Sequence, residues 1–330
     1  MNQETTVPNA IRIHKVGGPE VLVFEDFKTA VLGANQVLIR NKAIGLNFID
    51  VYFRTGLYPA PSMPFVPGNE GAGEIVTLGK GVTDLKVGDR VAYISQLGAY
   101  AEELVLDTKA LVKIPKGISY ETAAAMMLKG LTAEYLLRRT FKLKKGHVAV
   151  IHAAAGGTGQ ILCQWAKHLG ATVIGTAGGK DKLAIAKNLG CDYAIDTNTE
   201  DVAKRVREIT NGVGCDVVYD GVGKATFTAS LDSLRKFGML VSFGNASGPV
   251  EAFNLGVLAP KGSLYVTRPT LFAHISDTNI LRAMARSLFS VVKSGVVKIP
   301  INHTYPLAQA ADAHRALEAR LTTGSTVLIP

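Results

Sequence analysis

Seven consecutive residues, Ala153-Ala154-Ala155-Gly156-Gly157-Thr158-Gly159, carry almost no side-chain volume. Such residues do no acid–base chemistry. What they offer is backbone N–H groups that a bulky anion can approach. Positions 154–159 read A-x-G-x-x-G, a variant of G-x-G-x-x-G with alanine first. The run follows the apolar stretch VAVI (148–151) and opens segment 160–169, where Ile161, Leu162, Trp165, Ala166 and Leu169 share one helical face. Strand, glycine turn and helix together form the setting in which this fingerprint holds a pyrophosphate at a helix N-terminus. A plain Gly-rich turn is the competing reading, and the flanking pattern favours a dinucleotide. Ala155, Gly156, Gly157, Thr158 and Gly159 are the expected contacts.

The next strand, ATVIGT (171–176), leads into AGGKDK (177–182). NAD-preferring folds usually place a carboxylate just after this strand. Here the first four turn positions carry none, and Lys180 and Lys182 bracket Asp181. A lysine attracts a ribose 2′-phosphate where a carboxylate would repel it. Asp181 is equally explained as a helix N-terminal charge, whereas two lysines there oppose the macrodipole. NADPH is the expected cofactor, with Gly178 and Lys182 against it and Lys180 as the alternative contact.

These motifs need a scaffold, and the pattern along the chain supplies one in two styles. Residues 1–125 carry short β-like runs (10–15, 36–42, 71–78, 90–94, 111–114) separated by Gly, Pro, Asn and Asp, as in a β-rich, barrel-like domain. From about 126, strands and helices alternate. Helices are expected at 182–189, 201–210 and 227–236, and strands at 193–196, 216–219 and 239–243. A further strand is expected at 262–271, helices at 277–295 and 307–320, and a last strand at 326–330. The fold class expected is therefore α/β, with a Rossmann-type doubly wound parallel sheet.

Composition bounds the partners. At 330 residues, 47% hydrophobic and 19% charged, the chain suits two well-packed domains. No stretch approaches a membrane span, and MNQETTVPNA shows no secretory pattern. Basic clusters at 138–145 and 204–207 contribute to the net charge of +9, and neither interleaves aromatics as a stacking platform would, which points away from nucleic acid. Cys163, Cys191 and Cys215 suit small apolar packing in a reducing compartment better than a disulfide frame. The seven histidines are scattered, and His147 and His152, flanking the 148–151 strand on opposite faces, are expected at the surface or in packing.

The stretches KAIGLNFID (42–50), RTGLYP (54–59), GNEGAG (68–73), VGDRV (87–91), KGLTA (129–133), VSFGNASG (241–248) and GSLYVTRP (262–269) carry a resemblance that runs nearly end to end. The chain resembles the zinc-free medium-chain dehydrogenases/reductases, in the NADPH:quinone oxidoreductase group related to zeta-crystallin. That resemblance implies a GroES-like β-rich domain at 1–125 and a Rossmann NADPH-binding domain at 126–268. It also implies a segment, 269–330, that returns to complete the first domain, with the cofactor in the cleft between the two. Zinc-dependent relatives carry cysteine where Asn47 stands and histidine where Asn69 stands. Amides are poor zinc ligands, and no cysteine precedes Cys163 to form a structural zinc lobe, so no metal is expected.

Without a Lewis acid the acceptor must already be electrophilic, as quinones and activated enones are. The resemblance places Asn47, Tyr52 and Tyr58 around the substrate. Asn47 either contacts cofactor or a reacting carbonyl, or makes a structural hydrogen bond. The tyrosines either donate to a quinone oxygen or line an apolar pocket. Thr132, Phe243 and Gly244 are expected at the cofactor, Thr267 and Arg268 near the nicotinamide, and Arg320 near the phosphates unless it only closes a helix. The first function expected is a cytoplasmic NADPH:quinone oxidoreductase, a homodimer paired through 264–266. Two alternatives stand beside it: an NADPH-dependent enone or alkenal double-bond reductase of the same fold, and a non-catalytic, RNA-associated NADPH-binding protein.

Overall fold

A sheet with one covered face shows residue-by-residue alternation of burial, and a sheet covered on both faces loses it. Both patterns occur in the computed structural model, which describes residues 7–330. β1 (Asn9–Ile13) and β2 (Leu22–Asp26) form an antiparallel pair. β3 (Gln36–Leu46) alternates as far as Lys42 and is then buried without a break, so it runs beyond the expected 36–42. It turns into helix α1 (Phe48–Thr55), which Gly56 ends in the left-handed region at φ 82°. There follow β4 (Glu70–Leu78), β5 (Arg90–Ile94), β6 (Glu103–Asp107) and β7 (Leu111–Lys113). α2 (Tyr120–Tyr135) comes next, with a π-helical turn over Leu136–Thr140.

Strand and helix then alternate as β8 (Val148–Ile151), α3 (Gly157–His168), β9 (Thr172–Ala177), α4 (Lys180–Asn188), β10 (Tyr193–Asp196) and α5 (Val202–Ile209). The series continues with β11 (Cys215–Asp220), α6 (Phe227–Ser233), β12 (Leu234–Ser242), β13 (Tyr265–Thr267), α7 (Leu271–His274) and α8 (Thr278–Lys293). β14 (Ile301–Pro306), α9 (Ala310–Glu318) and β15 (Ser325–Ile329) complete the described chain.

Two compact units result. One is the chain to Leu128 together with Ile299–Pro330, and the other is Lys129–Lys298. The first holds a seven-stranded sheet in the order β14-β15-β3-β4-β5-β7, with β6 on β3. Ile39, Ile44, Ile75, Val91, Tyr93, Tyr100 and Leu328 fill its core. The second holds six parallel strands in the order β10-β9-β8-β11-β12-β13. Strand order reverses between β8 and β11, and open parallel sheets bind ligands at the carboxyl ends of strands beside such a reversal.

Several expectations shift. The units divide at 128/129 and 298/299, so α8 belongs with the parallel sheet and the return begins near 299 instead of 269. Leu281, Met284, Ala285, Leu288 and Phe289 give α8 its buried face, and a Cβ on Gly130 would lie 2.5 Å from Leu288, which shows how closely α2 and α8 pack. The expected helix 227–236 stops at Ser233, because Leu234 already pairs with Cys215 in the parallel ladder. Of the expected strand 262–271, only Tyr265–Thr267 finds a partner, along Met239, Leu240 and Val241. α2 has no amphipathic stripe because it is buried on most sides, Ala123 through Met127 included.

Candidate functional site

In the second unit the glycine turn is built almost wholly by backbone. Ala153, at φ 51°, bends the chain after β8 so that the Ala154 N–H reaches the Thr176 carbonyl at 2.9 Å. The Ala153 carbonyl in turn accepts from Gly156 N at 2.9 Å. Gly156 is the N-cap of α3 with no side chain over the helix end. The first N–H groups of a helix lack intrahelical acceptors, so this end faces outward with unspent donors and the positive end of the dipole. The two flanking glycines differ. A Cβ on Gly159 would lie 2.2 Å from the Ala153 carbonyl, so that glycine lets helix and turn touch, whereas a Cβ on Gly156 meets only that oxygen, at 3.2 Å. Gly156 thus leaves the open side free for a ligand. Ala155 is buried beneath the turn, and its carbonyl accepts from Gln160 Nε2 at 2.7 Å.

At the end of β9, Gly179 takes φ 89° and donates its N–H to Asp196 Oδ1 at 3.1 Å. Asn198 N donates to the same oxygen at 3.0 Å. The two donors, Asn198 first, hold the Asp196 carboxyl below its usual range. This carboxylate comes from the following strand and is committed to shaping the turn over Gly178 and Gly179. Lys180 and Asp181 are exposed at the start of α4, with Lys182 half-buried beside them.

The ends of β11 and β12 meet above the same sheet. Phe243 N donates to the Asp220 carbonyl at 2.8 Å, and a Cβ on Gly244 would fall 2.3 Å from the Gly221 carbonyl. Buried Asp220 organises this crossing. Its Oδ1 accepts from Val222 N (2.8 Å) and Gly223 N (3.0 Å), and its Oδ2 accepts from Thr226 Oγ1 (2.7 Å) and Ser230 Oγ (2.8 Å). Ser230 Oγ lies 3.0 Å from His152 Nε2, and His152 Nδ1 lies 2.9 Å from Thr176 Oγ1. Burial depresses the His152 pKa and keeps the ring neutral. His152 is therefore a buried link joining the ends of β8, β9 and β11. Arg268 Nη1 donates to the Gly244 carbonyl at 3.1 Å, which ties the segment after β13 to the Phe243-Gly244 turn. Thr267 is half-buried at the end of β13, and Thr132 is half-buried on α2.

In the first unit, Asn47 caps the start of α1. Its N–H donates to Asp50 Oδ2 at 2.8 Å, and its Nδ2 donates to Glu70 Oε1 at 2.7 Å. Glu70 Oε2 also accepts from Leu128 N at 2.6 Å, and Gly45 admits this carboxylate, since a Cβ there would lie 2.3 Å from Oε1. Asn47 is thus held by a carboxylate on one side and a helix cap on the other. Asn69 is fully buried, with Nδ2 on the Ser95 carbonyl at 3.1 Å. The rings of Tyr52 and Tyr58 meet edge to face at 5.2 Å, with Phe53 against Tyr58 at 5.8 Å. Arg320 follows α9 at φ 58° and closes that helix. Among the described residues no group of three or more His, Cys, Asp or Glu is close enough to hold a metal ion, and no helix is long and apolar enough to cross a membrane.

The residues expected to do chemistry therefore gather in two sets. Thr132, Ala155, Gly156, Gly157, Thr158, Gly159, Gly178, Lys182, Phe243, Gly244, Thr267 and Arg268 lie in the parallel-sheet unit, and Asn47, Tyr52, Tyr58 and Arg320 in the other.

Family models match each unit: an alcohol dehydrogenase GroES-like domain over residues 33–116 and a zinc-binding dehydrogenase domain over residues 157–284. A quinone oxidoreductase of Pseudomonas aeruginosa is 54% identical over 97% of this chain and 99% of its own length. The chain belongs to the quinone oxidoreductase family. The crystal structure of Escherichia coli quinone oxidoreductase complexed with NADPH superposes with a TM-score of 0.96 at 48% identity, covering 98% of this chain and 100% of that one. A 2-haloacrylate reductase of Burkholderia is 45% identical over 96% of this chain and 98% of its own length. Within this quinone oxidoreductase fold, sequence reasoning missed Asp196, Asp220 and the linking role of His152. Asp220 had a local signal, an Asp-Gly-x-Gly turn at the end of a strand.

Proposed function

We propose that this chain is an NADPH-dependent quinone reductase that works without zinc. The observation that carries the reading is the uncapped, glycine-opened start of α3 in a chain so similar to named quinone oxidoreductases. Residues and cofactor fit: Gly157, Thr158 and Gly159, in the first turn of α3, present backbone N–H groups to a pyrophosphate, and the open side of Gly156 gives it room. Lys182, with Lys180 beside it, takes the 2′-phosphate, while the carboxylate that reaches the turn from the next strand, Asp196, is occupied by backbone donors. Phe243, Gly244, Thr267, Arg268 and Thr132 hold the nicotinamide end, and Arg320 is assigned to the phosphates. When bound, NADPH supplies reducing equivalents as a hydride from its nicotinamide.

The protein's own part is orientation and exclusion of water. Asn47, its Nδ2 held by Glu70, is assigned to the acceptor's surroundings. Tyr52 and Tyr58 line the acceptor's pocket as an edge-to-face pair and adjust the rate without being indispensable acids. We further assign the protein to the cytoplasm, in line with its three buried free cysteines, and read it as a homodimer. β13 ends the six-stranded sheet with one neighbour, β12, and Tyr265 on it is exposed, so a second copy would pair there.

Double-bond reduction is the second reading, favoured by the similarity to the 2-haloacrylate reductase. A panel of ortho-quinones, para-quinones, alkenals and 2-haloacrylates, each with NADPH and one purified sample, separates the two. Turnover with quinones, undiminished by EDTA, supports the first reading; turnover confined to alkenals or haloacrylates replaces it with the second. Tight NADPH binding with no turnover on any acceptor would select a non-catalytic role.

A further inference from the structure

A chain of buried polar groups in the first unit runs from Asn47 through residues that have no part in the chemistry described so far. It starts at Asn47, whose N–H is held by Asp50 Oδ2. The same oxygen accepts from the Tyr100 hydroxyl at 3.0 Å. That hydroxyl lies 3.1 Å from His314 Nε2, and His314 Nδ1 lies 3.0 Å from Arg54 Nη1. Arg54 is 1% exposed and forms a two-point pair with Glu318, both contacts at 2.8 Å, while its Nε donates to the Gly17 carbonyl at 3.1 Å.

Direction along the chain follows from donor capacity. A guanidinium only donates, so His314 Nδ1 accepts and Nε2 carries the proton. Nε2–H then donates to the Tyr100 oxygen, leaving the Tyr100 O–H for the Asp50 carboxylate. Burial, aided by Arg54, lowers the His314 pKa to about 3, so the ring stays neutral and this arrangement stands through the neutral range. Asp50 and Arg54 both lie on α1, near its start and its end, whereas His314 and Glu318 both lie on α9. The C-terminal helix therefore grips α1 at two points, and α1 carries Asn47 at its cap and Tyr52 one turn on.

We infer that Tyr100 and His314 are positioning residues that hold the start of α1, and with it Asn47 and Tyr52, in the geometry an acceptor quinone meets. The inference rests on the quinone-reductase reading. It gives the returning segment a task in the reaction besides completing the sheet.

The test compares wild type, Tyr100→Phe, His314→Leu, His314→Gln and the Tyr100→Phe/His314→Leu double variant. Steady-state kinetics with a para-quinone are read beside NADPH affinity and Tm. Tyr100→Phe removes one oxygen from a packed ring, and His314→Gln keeps one donor and one acceptor. Tyr100→Phe and His314→Leu should each lower quinone kcat by about tenfold with NADPH Kd unchanged, and the double variant should be no worse than the weaker single, because one chain is cut in either case. His314→Gln should recover most of the rate. If His314→Leu melts below the assay temperature, Tyr100→Phe decides alone. A Tyr100→Phe kcat within twofold of wild type, or losses that multiply in the double variant, would overturn the inference. A wild-type protein inactive on every quinone would overturn the underlying reading, an outcome distinct from active wild type with unaffected variants.

Discussion

The two units build their sites from different materials. In Lys129–Lys298 the proposed phosphate turn is backbone: three alanines and a glycine after β8, then Gly157, Thr158 and Gly159 opening α3, shaped by main-chain bonds no longer than 3.2 Å. In the other unit the proposed site is side chain: Asn47, Asp50, Glu70, Tyr100 and His314, tied together by hydrogen bonds, with Arg54 and Glu318 bonded 264 residues apart. A backbone site is fixed by what is absent: an added carbon collides at Gly159 and fills the open side at Gly156. A side-chain site is fixed by partners and weakens in steps as they are removed.

The sharpest way to break the comparison is to add carbon to the backbone site. Gly159→Val should prevent a stable fold of the parallel-sheet unit, because even a Cβ would lie 2.2 Å from the Ala153 carbonyl; circular dichroism and Tm report it. Gly156→Val should behave otherwise. Its Cβ has room, so Tm should stay within a few degrees while NADPH affinity falls by about a hundredfold or more in a binding titration, as the side chain fills the approach to the pyrophosphate. Equal damage from both would show that Gly156 serves packing and not a ligand.

The turn itself was legible locally, whereas the different tasks of Gly156 and Gly159 were not. The turn, the strand before it and the helix face after it lie within one short window, and the six parallel strands announce themselves by alternation with helices. What stayed hidden was of two kinds. α2 and β2 have no clean period: α2 is buried nearly all round, and β2 shows the burial of a strand exposed along much of its length. His314 and Tyr100 stayed hidden for a topological reason, because no local window contains both ends of a hydrogen bond spanning 214 residues. The boundary at Ser233 and Leu234 was misplaced because a ladder partner, Cys215, overrides a helical pattern.

A smaller effect is expected at the 2′-phosphate. Lys182→Glu should weaken NADPH by about tenfold to a hundredfold and leave NADH nearly unchanged, since only the former carries the phosphate. Parallel losses for both would move the phosphate pocket elsewhere.

Acid should act through the side-chain site. The His314 pKa is lowered to about 3 in the folded protein, below the ordinary value of 6.5. Between those values the unfolded chain binds a proton that the folded chain does not, so this histidine's contribution is complete above about pH 6.5 and is lost as pH falls toward 3. Urea unfolding across that window should show stability declining on acidification, and His314→Gln should flatten the slope. An unchanged slope would mean that the ring protonates in place.

The smallest effects belong to the tyrosines. Tyr52→Phe and Tyr58→Phe should each lower quinone kcat/KM by about tenfold at most, close to 1.4 kcal/mol, since the rings pack on each other and the proposed mechanism asks of their hydroxyls no obligatory proton transfer. A thousandfold loss at either would reveal a required proton donor.

The central claim is that this chain reduces quinones with NADPH. It is tested most directly by kcat/KM for one para-quinone, measured with NADPH and with NADH on the wild-type protein in the presence of EDTA. Quinone-dependent oxidation of NADPH is expected, preferred over NADH by about tenfold or more. Oxidation that does not depend on the quinone, or equal rates with the two cofactors, would contradict it.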